Sequence, residues 1–114
     1  MNAIQFVQQR NIDEVREVLS MLPNFIVTHM TDDARMFIDA NNPLLDEFQR
    51  SQIKDLICIE ELKRLVESVD LVKRYGGIAE VKTLHQDEFW SERVFERLKQ
   101  AIADYESIYG GEHV

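Results

Sequence analysis

Side chains able to do chemistry are few in this chain of 114 residues, apart from its acids. It holds three histidines, one cysteine and 21 Asp or Glu residues. His85, Asp87 and Glu88 fall in one short stretch, and His29 stands just before Asp32-Asp33. Imidazole with carboxylate oxygens is a donor set a divalent metal accepts. Neither group, however, has the paired histidines of a metalloprotease helix or the cysteine spacing of structural zinc. His113 sits in the terminal EHV and suggests nothing. Cys58 has no histidine at a recognised nucleophile spacing, so it is expected to be a small buried residue at a helix start. There is no Gly-rich phosphate loop and no Ser-centred elbow. Carboxylate pairs carry no signal of acid–base work where 21 acids make neighbours unavoidable. The expectation is a protein that is not an enzyme and takes neither cofactor nor metal.

The acids are unevenly spread. Asp32, Asp33, Asp39, Asp46 and Glu47 face only Arg35 across residues 32–47, whereas the mid-chain helix is balanced. These five residues are the candidate binding site, a negative face for a basic protein partner. A net charge of −8 argues against nucleic-acid backbones, which need clustered Lys and Arg. A second functional class starts from LVKRYGGIAEVKTLHQ, residues 71–86, which has the helix, glycine turn and second helix of a helix-turn-helix reader. Its second helix would present Glu80, Lys82, Thr83, His85 and Gln86, with little basic support before Arg93. Phosphate contacts dominate such interfaces, so a DNA-associated regulator is the alternative, not the lead.

The elements that must hold these residues are mostly helices. In Ile59–Gly77, apolar residues at 59, 62, 65, 66, 69 and 72 make one helical stripe. Glu60-Glu61 at its start and Lys73-Arg74 at its end oppose the macrodipole. Glu60 is placed to pair with Arg64 four residues on, and Gly76-Gly77 supplies the stop. Around Ser91–Tyr109, Val94, Leu98, Ala101, Tyr105 and Ile108 step by four and three, the strongest periodicity in the chain. Residues 2–10, 12–21 and 78–86 read as shorter helices. Phe25–Met30 and Arg35–Ala40 read as an antiparallel hairpin about a TDDA turn. LLDEFQRSQ is either a short helix capped by Asn42 or a third strand. The echo of Phe6–Val18 in Leu71–Leu84 suggests either one duplicated packing unit or the coincidence of two amphipathic patterns.

The expected fold is therefore α+β and predominantly helical, with four to five helices and a small antiparallel hairpin layer from residues 25–50. A single domain is expected at this length. It comprises an N-terminal helical pair (1–22), the hairpin middle, a C-terminal helical unit (57–109) and a loose tail (110–114). One cysteine allows no internal disulfide, which fits a reducing cytosol. No apolar run approaches a membrane span and no basic-then-apolar leader opens the chain. Trp90, Phe89 and Tyr109 offer an apolar patch for self-association, so a homo-oligomer stays open.

Three segments resemble a known group. IQFVQQRNIDEVREVL, EELKRLVESVDLVKRYGGIAEVK and ERLKQAIADYESIYGGEHV look like small accessory proteins of lambdoid bacteriophages and prophages of enteric bacteria. The likeness covers about half the chain and does not include residues 25–55. Its motifs are packing motifs, so no functional residue carries over. It implies an accessory protein made in the host cytoplasm, of unassigned activity, whose partner is a host or phage protein.

Overall fold

The structure is a computed structural model that describes residues 2–85 and 91–110. Among those residues the fold is predominantly helical α+β, with six α-helices and one three-stranded antiparallel sheet. The chain divides into two compact units, Met1–Lys63 and Arg64–Val114.

In the first unit, α1 (Ala3–Arg10) starts at a capping box. Asn2 Oδ1 accepts from the Gln5 N–H at 2.8 Å, and Gln5 Oε1 accepts from the Asn2 N–H at 3.0 Å. Asn11 ends this helix and begins α2 (Ile12–Ser20). Its φ of 69° breaks the helix, its N–H donates to Val7 O, and its side chain accepts from Glu14 N–H. Between them the two helices bury Ala3, Phe6, Val7, Ile12 and Val15.

The sheet is smaller than the hairpin expected and has one more strand. β1 (His29–Met30) lies between β2 (Phe37–Ile38) and β3 (Ile57–Cys58), antiparallel to both. Phe25 to Val27 do not join the ladder. Asn24 Oδ1 accepts from the Ile26 and Val27 N–H groups at 2.8 and 3.2 Å, a local turn that competes with pairing. α3 (Glu47–Gln52) settles the ambiguous stretch as helix. Its cap is Asp46, in a capping box with Gln49, not the expected Asn42. A 3-10 turn, Ile53–Asp55, leads into β3.

α4 (Ile59–Arg74) begins in the first unit and ends in the second. All six stripe residues, Ile59, Leu62, Leu65, Val66, Val69 and Val72, are buried. Gly77 N–H donates to Val72 O at 2.9 Å and Gly76 N–H to Lys73 O at 3.1 Å, the paired bonds that close a helix on a left-handed residue. Gly76 has φ +100°, and a Cβ there would stand 3.2 Å from Glu80 Cγ.

In the second unit, α5 (Ile78–His85) and α6 (Glu92–Tyr109) pack with the end of α4. Ser91 caps α6 by accepting from Val94 N–H. Val72, Val81, Leu98 and Ala101 form a buried cluster, covered by Leu71, Tyr75, Ile78, Val94, Ile102 and Tyr105. Lys82 and Glu106 tie α5 to α6 at 2.8 Å.

Candidate functional site

The five acids lie on the turn between β1 and β2, just past β2, and at the start of α3, all in the first unit. Most have a local task. Asp33 accepts from the Thr31 hydroxyl and from the Arg35 N–H. Those bonds, the hydroxyl's first, hold its carboxyl below the usual range. Asp39 accepts from Asn41 N–H at 2.9 Å, and Asp46 caps α3 by accepting from Gln49 N–H at 2.7 Å. Glu47 opens α3, where a negative charge suits the helix dipole. Asp32 and Glu47 are exposed. A carboxylate that accepts a local N–H keeps its charge and its remaining lone pairs. The stretch therefore still presents a negative field.

The same segment exposes large apolar side chains. Phe25 is 93% exposed, Leu44 87%, and Met21, Met36 and Phe48 69% each, with Ile26 also open. Among the described residues of the second unit, only Phe95 and Tyr109 are exposed large hydrophobics, each at 37%. Phe25 lines a groove of about 490 Å³ with Val27, Ala40, Asn41, Glu60 and Lys63. Met36 lines another, of about 380 Å³, between the sheet and α3, with Thr31, Ile38, Gln49, Gln52 and Leu56. Six large apolar groups thus stand in water within one segment of 28 residues, 21–48, more than single scattered exposures would leave.

No family model, no curated protein and no solved structure matches the chain. The site must be read from its own geometry.

The helix–glycine–helix unit expected at residues 71–86 is present up to His85, and Gln86 lies outside the described residues. In its second helix Lys82 is paired with Glu106, Thr83 bonds back to Ala79 O, and the His85 ring stacks on Phe95 with centroids 4.1 Å apart. Among the described residues, no group of three or more His, Cys, Asp or Glu side chains could hold a metal ion. Asp87, Glu88, Phe89, Trp90 and His113 lie outside those residues.

Two groupings were invisible to spacing. The first is a buried polar network in the second unit. Asp104, 4% exposed, accepts from Arg64 Nε and a terminal guanidinium nitrogen at 3.2 and 3.3 Å, from Ser68 Oγ at 2.6 Å, and from Gln100 Nε2 at 2.8 Å. Arg97 donates to Ser68 Oγ at 3.2 Å. Arg64 thus pairs across to Asp104, where spacing alone suggested Glu60. The buried carboxylate is met from three side chains, which ties α4 to α6 within this unit. The second grouping is His29 with Cys58. They are direct partners across β1 and β3, and both are half-buried. Cys58 is therefore the last residue of β3, opposite a histidine, and stands at the start of α4 as expected, but half-buried instead of buried. Burial holds the His29 imidazole below its ordinary value of 6.5, against the opposing pull of the Glu61 charge.

Proposed function

We propose that the chain is a non-enzymatic accessory protein that acts by binding a host or phage protein through residues 21–48. The observation that carries this reading is the coincidence, in one segment, of Phe25, Leu44 and Phe48 in open water with Asp32, Asp33, Asp39, Asp46 and Glu47. Apolar anchors within a charged rim are the usual make-up of a protein interface. The sign of the rim calls for a partner carrying Lys and Arg around apolar sockets. The resemblance to phage accessory proteins supports the same reading, with action in the host cytoplasm.

The test compares baits in the host lysate. Asp→Asn at 32, 33, 39 and 46 with Glu47→Gln removes five charges, and Asn keeps the capping bond at position 46. Phe25→Ser, Leu44→Ser and Phe48→Ser remove the anchors. A partner recovered by the natural chain and lost with both variants supports the proposal. Equal recovery by all three baits sinks it. The alternative, a DNA-associated regulator using residues 71–86, would need duplex binding at physiological salt that Lys82→Gln and Arg93→Gln abolish. The ion pair between Lys82 and Glu106 takes from that reading the charge it most needs.

A further inference from the structure

Along the outer strand the main chain uses every second residue. Met36 O accepts from the Thr31 N–H at 3.0 Å, and the Met36 N–H donates to Thr31 Oγ1 at 3.2 Å. Ile38 O accepts from the Thr28 N–H at 2.9 Å, and the Ala40 N–H donates to Thr28 Oγ1 at 2.8 Å. Met36, Ile38 and Ala40 thus turn these groups toward β1 and the residues beside it. In an extended chain the residues between them turn theirs the other way. β2 ends the strand order β2-β1-β3, so the main chain of Phe37 and Asp39 faces an open edge. Such an edge is a template for one more strand.

What stands open there is its own complement. Phe37 offers both its N–H and its C=O. Asp39 O already accepts from the Asn42 N–H at 3.1 Å, which leaves its N–H to offer. The Arg35 N–H already donates to Asp33 at 3.1 Å, which leaves its carbonyl. A second copy laid antiparallel, with a two-fold axis at Phe37, matches all of them. Phe37 exchanges two hydrogen bonds with its twin, and each Asp39 N–H meets the Arg35 carbonyl of the other copy. The side chains match in the same register. Arg35 falls opposite Asp39, and Met36 opposite Ile38, as direct cross-strand pairs. Met36 is 69% exposed in the single chain. With Ile38 it lines the groove of about 380 Å³ beside α3, whose walls carry no charged residue. In the pair, the Met36 and Ile38 of each copy cover those of the other. The net charge of −8 opposes association at long range, so the contact depends on this local match of residues 35–39.

We propose that the chain forms a weak two-fold dimer in which β2 pairs antiparallel with β2 of a second copy, joining the two sheets into one. The paired edges are short, so the side chains of Arg35, Met36, Ile38 and Asp39 must select the register as well as the main chain. This inference goes beyond partner binding and does not rest on it. A monomer can still hold a partner, and a dimer can form where no partner is captured.

The test is sedimentation of the full chain between about 5 and 500 μM, the range in which a small interface associates. The natural chain should pass from monomer to dimer across it. Arg35→Asp sets two acids opposite one another at both ends of the pairing, and Asp39→Arg sets two cations there. Each should weaken the dimer about tenfold. The double variant, Arg35→Asp with Asp39→Arg, exchanges the charges and should regain most of the natural affinity. Phe37→Pro removes both central donors at a strand edge that tolerates proline and should leave a monomer, whereas Phe37→Leu keeps the dimer. In the natural chain, hydrogen exchange at the Phe37 amide should slow with concentration while that of Ile38 stays constant. A natural chain still monomeric at the top of the range overturns the proposal. So does a dimer indifferent to the single charge reversals, or one that the double variant fails to restore. Should a variant fail to fold, the concentration dependence of exchange at Phe37 decides.

Discussion

The polar residues around Asp104 and those of residues 21–48 follow opposite rules. In the second unit a carboxylate with almost no exposure is met by Arg64, Ser68 and Gln100, and the apolar seam beside it is covered. In the middle of the first unit, carboxylates bond to the nearest backbone N–H while phenylalanine and leucine stand in water. The first arrangement fixes one structure, because a buried charge tolerates only the geometry that pairs it. The second leaves its apolar surface unused by folding. What a chain does not bury against itself is available to something else.

The largest effect should come from breaking the Asp104 network. Asp104→Ala leaves the fully buried Ser68 hydroxyl without its acceptor and should destabilise the protein by about 2–3 kcal/mol in urea unfolding. The half-exposed Arg64 can turn to water, which keeps the loss below that of a fully buried pair. Gly76→Ala comes next, at about 1–2 kcal/mol, because φ +100° strains any side chain and Glu80 crowds the new Cβ. Asp46→Ala should cost about 1 kcal/mol through lost capping, with Asp46→Asn nearly neutral, a contrast that separates cap from charge. Smallest of all, Phe25→Ser and Leu44→Ser should move stability by less than about 0.5 kcal/mol. A large loss there would erase the contrast between the two regions.

A pH scan sharpens the picture further. His29 has a folded value below its ordinary one, so the unfolded chain binds more protons between the two. Its share of stability is whole well above 6.5 and falls away as pH drops through that value toward the lower folded one. His29→Gln should flatten that part of the stability curve.

Local signals were legible in the sequence and distant ones were not. The α4 stripe, the Gly76 stop and the seam of α6 each rest on residues within a few positions of one another. Helix periodicity reads them directly. β3 was missed because Ile57-Cys58 is strand only through its pairing with β1, nearly thirty residues earlier. The hairpin was drawn too long because FIVTHM has strand composition, while Asn24 diverts Ile26 and Val27 into a turn. Asp104 gave no signal of its burial, because a charge on a helix is normally solvated. Its partners Arg64 and Ser68 lie on α4, some 40 positions away. The candidate acids were legible as a cluster, but their capping roles and the exposed apolar groups beside them needed coordinates.

The most direct measurement is a parallel capture with two baits, the natural chain and the Phe25→Ser, Leu44→Ser, Phe48→Ser variant, at low and high salt. Circular dichroism and urea midpoints should first show the two equally folded. The account predicts one basic protein retained by the natural chain at low salt, weakened by salt and lost with the variant. Equal retention of that protein by both baits, or retention indifferent to salt, would contradict it.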